Sequence, residues 1–339
     1  MEVFNNSSMN KIQYLSISRV VATLFIVICH IIPYFHFLPG HEYLGQFFNV
    51  GVEMFLIISG CLYGYKHIKE KFRRYYLKRL LKVALPVQIF ALFLFLILGR
   101  DELEHTIIVL LNLQGLGFIF DLQTFDIGKT IAVNNNLSHT WFVTVILACY
   151  LLIPFLHRIR SKFKAVHLLF VWTVTLSVTF LGVNLNYFTM FLTGFFIISN
   201  NYFLSCKYRY LFFSFLGALS LRLLTHMFFD DTIFYTGVIV MLSHTIIAIS
   251  IILFIKEFTS RNTNVTASVT SNAVFKKIEI FSFYIYITHY CLIIPLFHNY
   301  GIGLATVLFL LGSLALAFLL REVHLFMERK MKKMILRKA

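Results

Sequence analysis

Charge is what this chain has least of. Only 13% of its 339 residues are Asp, Glu, Lys or Arg, against 59% hydrophobic and a mean hydropathy of +0.79. A soluble domain carries about a quarter charged and about half apolar residues, so the balance excludes one and predicts an all-α integral membrane protein. The length has room for about ten helices of about 20 residues, enough to cross a hydrocarbon core of ~30 Å, and no space for a sizeable soluble domain. Acidic residues are scarcer than basic ones, 15 against 30 Lys and Arg. The resulting charge of +15 would suit nucleic acid, but the basic residues are confined to alternate loops and the tail, which is how membrane proteins set their orientation. No nucleic-acid partner is expected. Five cysteines, at 29, 61, 149, 206 and 291, form no C-x-x-C pair, so neither a zinc site nor a disulfide framework is indicated and no metal is expected. A small-residue cleavage site is also missing: the first apolar segment runs into Pro33-Tyr34-Phe35-His36-Phe37 and is expected to stay as the first span. No internal repeat of the transporter kind is present.

Apolar runs predict spans near 16–35, 47–66, 80–98, 140–157, 165–183, 187–204, 209–228, 233–255, 280–297 and 302–320. Residues 1–15 are then a short N-terminal segment and 321–339 a basic tail. Lys66 to Arg79, Arg158 to Lys164, Lys207 with Arg209, Lys256 to Lys277 and the tail from Arg321 carry the positive charge. The connections between them carry almost none, which places both termini in the cytoplasm of a cell membrane, plasma or inner. Two connections are long. Residues 99–139 face outward, and His105 to Phe120 within them is barely long enough to cross, which predicts a re-entrant or interfacial segment. Thr259 to Asn272, rich in Ser, Thr and Asn, predicts a flexible cytoplasmic linker.

Against this background each ionisable residue inside a span is a functional candidate. Arg19 and His30, eleven positions apart, project from one face of the first helix, about 16 Å apart along its axis. Glu53 opens the second span among Gly51, Ser59 and Gly60, small residues that let a neighbouring helix or ligand come close. Topology puts His30 and Glu53 at similar depth, roughly 8 to 9 Å below the outer edge. A carboxylate beside an imidazole supports a general base that takes a proton from a hydroxyl during acyl transfer. Arg19 lies near the cytoplasmic end. With Arg79 and Lys82 at the start of the third span it offers cations to the phosphates of a cytoplasmic donor.

The motifs themselves resemble a known family. Arg19 and His30 at that spacing, Gly51-Val52-Glu53-Met54-Phe55 with Ser59-Gly60, His139-Thr140-Trp141-Phe142 opening a span, and Ser282-Phe283-Tyr284-Ile285-Tyr286-Ile287-Thr288-His289 are similar to the motifs of the membrane acyltransferase-three family, with Leu56 where the family usually has a second Phe. The likeness covers the whole chain. It implies about ten spans and transfer of acetyl groups from cytoplasmic acetyl-CoA to hydroxyls of a surface glycan or lipid-linked sugar. In that reading His30 and Glu53 are catalytic, Arg19, Arg79 and Lys82 bind the donor, and Ser59, His139, Trp141, Tyr286 and His289 meet the acceptor. With no hydrolase-like domain after the last span, the chain resembles single-domain members that modify capsule, O-antigen or exopolysaccharide.

Each of these residues has a plainer role open to it. A lone intramembrane histidine can hydrogen-bond a backbone carbonyl; Arg19 can snorkel to the interface; the basic run from 66 to 82 can simply orient the protein and touch anionic lipid. His139 and Trp141 sit where an aromatic belt is expected, and His289 can be packing. Arg222 and His226, one turn apart, can line the outer cavity or pair with Asp230 and Asp231, and no motif supports them. The rival function is a polysaccharide exporter or flippase on the same helices, its charged residues lining a path. A different acyl group or a peptidoglycan acceptor is a third reading.

Overall fold

The computed structural model describes residues 6–65, 70–99, 103–119, 137–199, 207–229 and 238–336, and its regular structure there is helical throughout, without a β-strand. Six helices are long and apolar enough to cross a membrane, and a bent pair, Ala273–Thr288 with Tyr290–Asn299, makes seven if it forms one span. Three other predicted spans are helical but differ from a simple crossing. Ala165–Thr179 and Asn186–Ser199 are short, at 15 and 14 residues, and Tyr208–Phe229 carries Arg209 and Arg222. The described residues fall into two compact units.

The first unit comprises residues 1–29, 46–67 and 155–280. It contains most of α1 (Asn6–Ile31), α2 from Gln46 (the whole helix is His41–Phe48), and α3 (Gly51–Tyr65), which is buried along most of its length. Against α3 pack α5 (Asn186–Ser199) and α7 (Val240–Arg261), while α4 (Ala165–Thr179) packs on α5 and α6 (Tyr208–Phe229) on α7. Two glycines set the closest of these contacts. A Cβ on Gly60 would lie 2.1 Å from the Phe191 carbonyl oxygen, and one on Gly194 2.1 Å from that of Ile57, so α3 and α5 touch backbone to backbone. Gly51 does the same for α1, where an added Cβ would meet Ala22 O at 2.6 Å. Small residues let helices approach in this way where no hydrophobic effect drives them together.

The expected flexible linker at 259–272 is instead structured. α7 runs on to Arg261, and α8 covers Thr263–Ser271. Thr266 is buried, its hydroxyl donating to Thr259 O at 3.4 Å, while Val265 and Val269 share an apolar groove with Ile17, Phe254 and Phe258. The Ser and Thr content signalled a loop, but these hydroxyls bond carbonyls of their own helix, as Thr270 does to Thr266 O at 2.8 Å, and the apolar face wins.

The second unit comprises residues 30–45, 68–154 and 281–339. Its backbone is repeatedly broken, and prolines stand at two of the breaks. α1 ends at Ile31 and gives way to a 3-10 turn holding Pro33, whose missing N–H cannot meet Cys29 O. α9 (Phe72–Arg79) passes through a π-helical turn, Leu80–Ala84, into α10 (Leu85–Leu98), where Pro86 cannot serve Lys82 O. The π turn exposes Leu81 O, which accepts from His324 Nε2 at 2.8 Å; His324 Nδ1 in turn accepts from the Tyr284 hydroxyl at 2.8 Å. After α11 (Leu103–Leu110) the chain turns at Asn112, with φ of 57°, before the short α12 (Leu116–Ile119). At 8 and 4 residues, neither piece is long enough to cross. Its irregular backbone is served by side chains: Thr144 Oγ1 donates to Asn112 O at 2.9 Å and Gln88 Nε2 to Leu110 O at 2.9 Å. α13 (Trp141–Ile159), the end of α14 (Ala273–Thr288), α15 (Ile293–Asn299) and the 35-residue α16 (Ile302–Leu336) complete the unit, α13 contributing its residues up to Pro154.

Candidate functional site

Three histidines of the second unit come together at helix breaks. His30 lies in the last turn of α1, His139 in the 3-10 turn Ser138–Thr140 that leads into α13, and His289 at the 53° bend that ends α14. The ring of His289 is 5.3 Å from His30 and 5.2 Å from His139, centroid to centroid. Tyr290 packs edge-on against His30 and stacks on His139, while Tyr286 donates its hydroxyl to His139 O. The structure thus brings together His30, His139, Tyr286 and His289 of the expected residues, and adds Tyr290.

Backbone carbonyls fix the protons on two of these rings, because a carbonyl only accepts. His139 Nε2 donates to Ile287 O at 3.0 Å, and His289 Nδ1 donates to Tyr286 O at 2.9 Å and Ile285 O at 3.1 Å. The opposite nitrogens, His139 Nδ1 and His289 Nε2, therefore hold bare lone pairs. Both are buried without a hydrogen-bond partner among the described residues. A buried acceptor left unpaired costs about 1 to 3 kcal/mol, and each of these lone pairs can accept from a donor such as a hydroxyl.

Glu53 belongs to the first unit and sits in the first turn of α3, where the helix dipole favours an anion. The imidazole beside it is that of His244 on α7, a residue the sequence analysis did not single out. His244 Nδ1 donates to Glu53 Oε1 at 3.0 Å, with both side chains almost wholly buried. On the other side His244 Nε2 meets Nη1 of Arg222. Arg222 also donates to Gln46 O at 3.4 Å and to Gln46 Oε1 at 3.3 Å. The expectation that Arg222 would pair with Asp230 and Asp231 falls on residues outside those described. An ionisable residue inside a span was the available signal for His244, and neither spacing nor motif drew it out.

Arg19 forms a part-buried ion pair with Glu279 at 3.4 Å. Ser59 is half-buried on α3. Within the second unit Arg79 lies over the Tyr75 ring at 5.3 Å and Lys82, on the π turn, is exposed. Their neighbour Lys78 is bound to Glu70 at 2.6 Å, a contact that holds the Glu70 carboxyl below the usual carboxylate range. Trp141 opens α13, half-buried against Phe142. Of the five cysteines, Cys29, Cys61, Cys149 and Cys291 are free thiols and Cys206 lies outside the described residues.

A family model described as an acyltransferase domain matches residues 12–322. No curated protein and no solved structure matches the chain.

Proposed function

The chain belongs to the acyltransferase-3 family, and from that premise we propose that it is a cell-membrane O-acetyltransferase that moves an acetyl group from cytoplasmic acetyl-CoA to a hydroxyl of a surface polysaccharide or its lipid-linked precursor. The family supports acyl transfer at a membrane. The donor, the acceptor and the residue roles are this proposal's own.

The observation that carries it is the pair of buried lone pairs on His139 and His289 beside His30. A sugar presents hydroxyl protons, and two fixed acceptors suit it. With the acceptor held there, His30 takes the proton of the attacking hydroxyl. The freed oxygen bonds to the thioester carbonyl carbon, the carbon–sulfur bond breaks, and the departing thiolate takes up the proton from the His30 imidazolium. Arg19, Arg79 and Lys82 bind the donor's phosphates, Ser59 and Trp141 contact the acceptor, and Glu53 is the second catalytic group. Both termini lie in the cytoplasm.

Mass spectrometry of surface glycan from cells with and without the protein tests the reading. The expected result is loss of 42-Da acetyl increments, about 42 Da being the acetyl-for-hydrogen difference, when the protein is absent. Identical spectra would refute it.

A further inference from the structure

We infer that Arg222 and His244 are positioning residues for Glu53: a buried chain of guanidinium, imidazole and carboxylate that fixes one oxygen of Glu53 and presents the second, Oε2, to a hydrogen-bond donor on the substrate. This rests on the proposed role of Glu53 and adds two residues that no motif of the sequence points to.

The direction of every proton in the chain follows from chemistry. A guanidinium only donates, so His244 Nε2 accepts from Arg222, the ring's single proton sits on Nδ1, and it points at Glu53 Oε1. His244 is therefore neutral. A second proton would put an N–H against an N–H, and the lone pair that would take it is already used. His244 is not the base of the reaction. It passes the positive potential of Arg222 to the carboxylate, while Gln46 holds the guanidinium from its far side with a backbone and a side-chain oxygen.

The second observation concerns the other oxygen. Glu53 is 3% exposed, and Oε2 has no hydrogen-bond partner among the described residues. A carboxylate has about four acceptor positions, and this one is fixed on one side and open on the other. A purely structural ion pair in a low-dielectric interior would be expected to satisfy both oxygens. Other titratable groups within electrostatic reach of Glu53 are Cys29 on α1 and Tyr187 on α5. Neither brings a cation, so Arg222 supplies the positive charge of the cluster.

The test uses the full chain in lipid nanodiscs. Infrared difference spectra of wild type against Glu53→Gln identify the carboxylate band of Glu53, which needs no substrate. In Arg222→Gln the frequency of that band is expected to shift, because the hydrogen-bond chain that ends on Glu53 Oε1 loses its first donor. Thiol release from acetyl-CoA, with de-O-acetylated surface polysaccharide as acceptor, is read in parallel. His244→Gln, whose amide donates at one end and accepts at the other, is expected to keep turnover within about fivefold of wild type, and His244→Phe to lose about a hundredfold, the loss of one or two charge-assisted hydrogen bonds. An unchanged Glu53 carboxylate band in folded Arg222→Gln, or wild-type turnover in His244→Phe, overturns the inference. Wild-type turnover in Glu53→Gln overturns instead the assignment of Glu53 on which it rests.

Discussion

His244 stands between Glu53 and Arg222 with one ring nitrogen given to each, Nδ1 lying 3.0 Å from Glu53 Oε1. The three side chains come from α3, α6 and α7 and are buried. Removing the middle one strands an anion and a cation in the interior. His244→Ala is therefore expected to destabilise the protein by about 3 to 5 kcal/mol, seen as a large drop in the melting temperature in detergent. His244→Gln, which can bridge both neighbours, should recover most of it. Equal melting of the two variants would contradict the bridging role.

The glycine contacts predict opposite signs for one chemical change. Gly60→Ala and Gly194→Ala each push a methyl group into a carbonyl oxygen across the α3–α5 contact, where no flexible side chain can give way. A cost of about 1 to 3 kcal/mol or more is expected. At Gly303 an added Cβ meets nothing within 4 Å, and alanine there should gain up to about 1 kcal/mol of helix propensity. Thermal melts of the three variants check the signs.

His139→Phe and His289→Phe each keep an aromatic ring and delete one open acceptor. Loss of one hydroxyl hydrogen bond, about 1 kcal/mol, should raise KM for the polysaccharide acceptor by about five- to tenfold per substitution. KM for acetyl-CoA should not change. A selective effect on the donor would reassign the two rings.

Arg19 is paired with Glu279 at 3.4 Å, so under the proposed role of Arg19 a phosphate-bearing donor would compete with that carboxylate. A part-exposed pair of this kind is worth about 1 kcal/mol or less. Glu279→Gln should thus lower KM for acetyl-CoA by up to about fivefold, while Arg19→Gln raises it. If Glu279→Gln leaves donor KM unchanged and Arg19→Gln does too, Arg19 is an interfacial anchor.

Much of this was legible in the sequence. Composition and apolar length gave an all-α membrane protein, because the bilayer demands long apolar helices and leaves few alternatives. The site was legible in part. His30, His139 and His289 stood in recognisable motifs, and the structure assembles them around Tyr290. Which ring nitrogens stay open was not legible, since that depends on the carbonyls of Ile287 and Tyr286, released where α14 breaks. His244 was missed for a related reason: it is a single histidine in an apolar helix, and only the packing of α7 against both α3 and α6 gives it two charged neighbours. The error at Thr259 to Asn272 came from reading Ser and Thr as loop formers. In a helix their hydroxyls bond the preceding turn, Thr266 is buried, and Val265 and Val269 line an apolar groove with Phe254 and Phe258.

The most direct test of acyl transfer through His30 is the O-acetyl content of surface glycan, measured by mass spectrometry in cells whose only copy of the protein carries His30→Ala. The account predicts glycan in normal amount with its O-acetyl groups gone. Normal acetylation together with reduced polymer would contradict it and favour an exporter.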